Sequence, residues 1–143
     1  MFERDSGLGG REMFDNNVFI EGSCKNTVID GNTVGYELQT YITYYRGIPL
    51  SMVNDIRVKT DGVEVPREDI LCSVDNGEYW FTLDEMTTVV GHKWEYGEPM
   101  TVRVKQENGL AKGEHKVELT VIVRTAYIPV PLEGVKERMV EIA

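Results

Sequence analysis

The run Thr33-Val34-Gly35-Tyr36-Glu37-Leu38-Gln39-Thr40-Tyr41-Ile42-Thr43-Tyr44-Tyr45 decides the fold. It alternates with period 2, the signature of a half-buried strand. Val34, Tyr36, Leu38, Thr40, Ile42 and Tyr44 form the core face; Gly35, Glu37, Gln39, Tyr41, Thr43 and Tyr45 form the other. Asp30-Gly31-Asn32, just before it, is a hairpin signal that pairs this strand with Asn26 to Ile29. The same grammar recurs outward. Ile56 to Thr60 alternates, and Asp61-Gly62 turns the chain into Val63 to Val65. Ile70 to Val74 and Tyr79 to Leu83 flank a third hairpin signal, Asp75-Asn76-Gly77, and Met100 to Lys105 is another strand. The longest clean strand is His115 to Tyr127, with Val117, Leu119, Val121, Val123 and Thr125 on one face. Lys116, Glu118, Thr120, Ile122 and Arg124 make its polar face, and Ile122 there implies that this face is partly covered. Helix signals are confined to single turns at Pro66-Arg67-Glu68-Asp69 and Leu83-Asp84-Glu85-Met86. Val135 to Ile142 fits a helix and a strand equally. Seven to nine short strands joined by Gly, Asp and Asn turns predict an all-β, antiparallel two-sheet sandwich in a single domain. Its topology is Ig-like or jelly-roll-like, and residues 1–25 form a less certain N-terminal extension.

The 143 residues suffice for one core. Fifteen basic residues against 24 acidic ones give a net charge of -9, with no basic run. That balance repels a phosphate backbone and an anionic membrane surface, so no nucleic acid and no membrane is expected as partner. No apolar run approaches the roughly 20 residues of a bilayer span. Met1-Phe2-Glu3-Arg4-Asp5 has no basic segment followed by an apolar one, unlike a secretory signal. Cys24 and Cys72 are too few for a disulfide scaffold and read as reduced thiols of a cytoplasmic protein.

The catalytic inventory is thin. His92 and His115 lack the spacing of a metal site, and no Cys-x-x-Cys motif exists. Ser51 has no nucleophile elbow around it. Asp55, Asp84, Glu85, Glu95 and Glu98 form no pair of defined separation, so they read as solvated acidic surface. Gly7-Leu8-Gly9-Gly10 lacks a preceding strand and reads as a turn, not a phosphate loop. No catalytic, cofactor-binding or metal-binding residue is assigned to this chain.

Two segments read as association surface. Tyr44, Tyr45, Arg46, Ile48, Pro49, Leu50 and Met52 make a connection too apolar to leave in water, with residue types that carry interface energy. Tyr127, Ile128, Pro129, Pro131 and Leu132 make a second one, whose alternate prolines take it out of a sheet ladder. Both segments serve equally well as private cover for the ends of the sandwich.

Several blocks resemble a known family. Tyr45-Arg46-Gly47-Ile48-Pro49-Leu50-Ser51-Met52-Val53, Asp55-Ile56, Asp61-Gly62 and Pro66-Arg67-Glu68 resemble the small (β) subunit of bacterial C-glycoside deglycosidases. Tyr79, Leu83-Asp84-Glu85-Met86, Trp94-Glu95-Tyr96-Gly97, Gly109-Leu110, Gly113-Glu114-His115 and Tyr127-Ile128-Pro129-Val130-Pro131-Leu132 continue the match in order. The resemblance implies a β-sandwich subunit working with a large subunit similar to sugar isomerases, a TIM barrel. That partner would hold a divalent metal, manganese, and cleave the sugar C1–aryl carbon bond of 3-oxo-C-glycosides of (iso)flavonoid type. The expected assembly is a higher-order hetero-oligomer, with Tyr45 or Arg46 near the mouth of the partner's active site. Two rivals stand beside it: a stand-alone carbohydrate-binding sandwich using Trp80, Trp94 and Tyr96 as a sugar platform, and a small self-sufficient enzyme, which two histidines disfavour.

Overall fold

Asp30 (φ 53°) and Gly31 (φ 80°) are both left-handed, and so are Asp61 (φ 52°) and Gly62 (φ 84°). Paired positive φ values define the tight turn whose twist matches that of two antiparallel strands. In this computed structural model, which describes residues 17–44, 46–125 and 130–143, these turns close two hairpins. The first joins β1 (Lys25–Ile29) to β2 (Asn32–Thr40), as the sequence predicts. The second joins β4 (Val53–Thr60) to β5 (Val63–Glu64). Between the two hairpins lies a two-residue strand, β3 (Ile48–Pro49), which pairs with β8 (Lys93–Trp94). The other strands are β6 (Ile70–Ser73), β7 (Phe81–Thr82), β9 (Met100–Lys105), β10 (Gly113–Val123) and β11 (Leu132–Ile142); an α-helical turn, α1, covers Leu83–Met86, and 3-10 turns cover Leu50–Met52 and Arg67–Asp69.

All pairings are antiparallel, and two main sheets result. One has the order β1-β2-β9-β6-β7, the other β11-β10-β4-β5. Their inner faces share one core: Tyr36, Leu38, Ile70, Cys72, Val102 and Val104 from the first, and Ile56, Val58, Val117, Leu119 and Val121 from the second. Tyr36 and Thr60 hydroxyls meet across it at 2.7 Å. The molecule is thus the expected β-sandwich, with strands over 51% of the described residues.

Two details depart from the period-2 reading. β2 stops at Thr40, and its end lies against residues 17–20: Tyr41 N donates to Asn17 O and Ile20 N to Gln39 O. Val34 is exposed, since it lies near the free hairpin tip beyond the cover of the second sheet. Residues 135–142, which fit a helix and a strand equally by sequence, are strand: they belong to β11, which pairs along the whole of β10. Val18 and Phe19, within the segment read as an extension, are buried in the core. Ile122 is buried although it belongs to the polar face of β10, which agrees with a partly covered second face.

Strand directions sort the connections. The tight turns at Asp30-Gly31 and Asp61-Gly62, the stretch 65–69 and the loop 106–112 lie at one end of the sandwich. The described residues of three longer connections, 41–44 with 46–52, 74–99, and 124–125 with 130–131, lie at the other. Long connections on a rigid scaffold are where function concentrates.

Candidate functional site

The loop-bearing end is built around Trp94, which is 0% exposed. Its indole N–H donates to Glu98 O (3.1 Å), and its backbone pairs with Ile48. Tyr44, Ile48 and Leu50 are buried beside it in the same core cluster. Leu50 N donates to His92 O (3.0 Å), Ser51 N to Val89 O (2.9 Å), and Arg124 N to Met52 O (2.8 Å). These bonds bring the three long connections together.

The predicted contact residues divide accordingly. Tyr44, Ile48 and Leu50 are buried in the core cluster of the chain itself. Arg46 and Pro131 are exposed; Pro49, Met52 and Leu132 are half-buried. Tyr45, Tyr127, Ile128 and Pro129 lie outside the described residues. The surface of this end exposes other large side chains: Tyr41, Tyr79, Val90 (72%), Tyr96 (61%) and Val130. Of these, Tyr79, Tyr96 and Val130 lie in the quoted motif blocks, so the blocks were a usable signal for them; Tyr41 and Val90 carried none.

The loops of this end are pinned locally. Thr82 and Glu85 form a reciprocal cap on α1: Glu85 N donates to Thr82 Oγ1 (3.1 Å) and Thr82 N to Glu85 Oε1 (2.8 Å). Asp75 accepts from Tyr79 N (3.0 Å) and the Ser73 hydroxyl (2.8 Å), and these donors hold its carboxyl below the usual range, the Tyr79 N–H first. A chain of ion pairs ties this end to the stretch 65–69: Asp55 accepts from Arg57 Nε (2.9 Å) and Arg67 Nη1 (2.8 Å), while Arg67 Nη2 reaches Asp84 at 3.1 Å. Three separate motif blocks meet in that chain. Thr43 and Thr125 hydroxyls at this end, and Arg103 Nε on the neighbouring sheet, are buried without a hydrogen-bond partner among the described residues. Each such group costs about 1–3 kcal/mol.

The other chemistry is structural. His115 Nε2 lies 2.7 Å from Ala111 O and Nδ1 2.7 Å from Asp61 Oδ2, so both ring nitrogens are engaged. Burial pushes the Cys24 thiol up to about 11 and the Cys72 thiol up to about 12; neither is in a disulfide. Among the described residues no three His, Cys, Asp or Glu side chains gather as a metal site, and no helix is long and apolar enough to cross a membrane. The three rings of the sugar-platform reading do not assemble. Trp94 is core, Tyr96 stands alone at the loop end, and Trp80 is covered by the Arg103 guanidinium, 3.9 Å from the ring centre.

Residues 14–127 match the family model described as C-glycoside deglycosidase beta subunit. The chain belongs to this family. It is also similar to the C-glycoside deglycosidase beta subunit of Eubacterium cellulosolvens, 27% identical over 100 residues that cover 70% of this chain and 67% of the relative. The matched region contains both buried partners of the lid, Ile48 and Trp94, and the Asp55–Arg67–Asp84 chain. A C-glycoside deglycosidase beta subunit is by its description one component of a larger enzyme.

Proposed function

We propose that this chain is the non-catalytic small subunit of a heteromeric, cytoplasmic C-glycoside deglycosidase and docks through its loop-bearing end. The observation that carries the reading is the composition of that end. All three exposed tyrosines of the described residues, Tyr41, Tyr79 and Tyr96, project there, together with Arg46 and Val90. Tyrosine and arginine dominate binding energy at protein interfaces. The large subunit would be an isomerase-like TIM barrel that holds a divalent metal and cleaves the C1–aryl carbon bond of 3-oxo-C-glycosides by elimination. In that reaction the C3 ketone acidifies the C2 proton, a base removes it, and the aryl group leaves with the bonding electron pair as its phenol groups assist. This chain would support the barrel without touching the reacting atoms.

The test is reconstitution. The purified chain should neither consume a 3-oxo-C-glycoside nor retain stoichiometric manganese. Adding the large subunit should give a stable complex and turnover. Turnover by the isolated chain would sink the reading, and so would a large subunit that is fully active and never binds this one.

A further inference from the structure

We propose that the outer face of the five-stranded sheet carries a binding groove for a neutral, polyhydroxylated ligand of pyranoside size. The groove has a volume of about 450 Å³, inside the range of roughly 300–1,000 Å³ usual for small-molecule sites. Lys25, Glu37, Gln39, Asn76, Trp80 and Arg103 line it. The inference stands independently of the assembly proposed above.

The polar groups are positioned from below. Arg103 is held flat on Trp80, with Cζ 3.9 Å from the ring centre. Glu37 is fixed by the Thr27 hydroxyl at 2.9 Å. The two charges are close but loosely joined: Arg103 Nη2 to Glu37 Oε1 is 3.5 Å, at the limit of a hydrogen bond. Gln39 Nε2 donates to Thr101 Oγ1 (3.1 Å), which orients the amide and leaves its carbonyl oxygen without a donor among the described residues. The Trp80 indole and the Lys25 side chain also line the groove. Arg103 Nε is buried without an acceptor. A buried donor left unpaired calls for an explanation.

The donor and acceptor set selects the ligand class. Arg103 and Lys25 oppose a cation, and Glu37 on the floor opposes an anion. A hydroxyl both donates and accepts, so neighbouring hydroxyls of a sugar satisfy Glu37 and Arg103 together. Arg103 occupies one face of the Trp80 ring, so the ligand is held by edge-on hydrogen bonds and not by ring stacking.

Titration of the ¹⁵N-labelled full chain with methyl β-D-glucopyranoside tests this. The Trp80 indole N–H and the amides of Asn76 and Gly77 should shift saturably. Glu37→Gln, and separately Lys25→Ala with Asn76→Gly, should weaken binding at least about tenfold while the rest of the spectrum stays unchanged. Lys25 and Asn76 are exposed, so that second variant keeps the fold. Absence of saturable shifts overturns the proposal. Equal binding by the variants does too, and so does a response to glucuronate or phosphate but not to the neutral glycoside.

Discussion

Gly35 lies where β2 crosses closest to β9. A β-carbon built there would stand 2.0 Å from Val104 O, a backbone atom that cannot move without opening the sheet. Gly35→Ala should therefore destabilise the fold by about 1–3 kcal/mol or more, read from urea denaturation. Gly91→Ala is the control: nothing lies within 4 Å and no positive φ is needed, so it should be neutral or slightly stabilising. His115 offers a second test at this scale. The Asp61 carboxylate, and then the Ala111 carbonyl, raise its pKa from the ordinary value, while the His115 ring and the Lys116 N–H lower that of Asp61. A raised histidine stabilises fully below its unfolded value, near 6.5, and the benefit is lost as pH rises through the folded value. A lowered aspartate stabilises above its unfolded value, near 3.9, and that benefit is lost as pH falls through the folded one. The pair should thus contribute most between about pH 4 and 6.5. An NMR titration should place His115 above 6.5 in the native chain, and Asp61→Asn should bring it down. A His115 value below 6.5 would show that burial outweighs the carboxylate.

At the scale of elements, the hairpins were legible because their signals are local. Asp-Gly pairs demand left-handed backbone, and alternation names the buried face, so β1–β2, β4–β5, β9 and β10 follow directly from the sequence. β3 and β8 were not legible. Each is two residues long and is stabilised by a partner about 45 positions away, which no window of sequence contains. The same non-local packing decided the segment 44–52. Its apolar character was plain, yet an apolar loop closes its own sandwich or a partner's with the same residue types. Burial of Ile48 and Leu50 separates the two roles. Leu50→Ala should cost the isolated chain about 2–5 kcal/mol. Arg46→Ala should change monomer stability far less but weaken assembly by about 2 kcal/mol. Melting curves and binding isotherms on the same variants measure both. An Arg46 variant that binds the large subunit like the parent chain would remove this residue from the interface.

The whole molecule has two unlike ends, and the difference follows from strand direction together with connection length. Among the described residues, the large hydrophobic side chains exposed toward the tight-turn end are Val28, Ile29, Val34, Val63 and Met139, none aromatic; the loop-bearing end adds three tyrosines. Sequence blocks pointed to part of this surface through Tyr79, Tyr96 and Val130, but not to Tyr41 or Val90, since exposure is a property of the folded molecule. Hydrophobic area alone would rank the ends alike, with Val63 70% and Val90 72% exposed. Aromatic anchors break the tie, because tyrosine contributes large contact area at little entropic cost. Two matched double variants test that argument without disturbing the core. Val90→Asp with Tyr96→Ala should abolish or strongly weaken co-purification with the large subunit, by roughly 3 kcal/mol or more if both are central. Val28→Asp with Val63→Asp, equally exposed, should assemble like the parent. Light scattering on the co-expressed pairs reads the complex mass, and melting of the isolated chains checks that both variants stay folded. Loss of assembly in the Val28–Val63 variant alone would move the partner to the tight-turn end, and the loops would then be private cover for the sandwich.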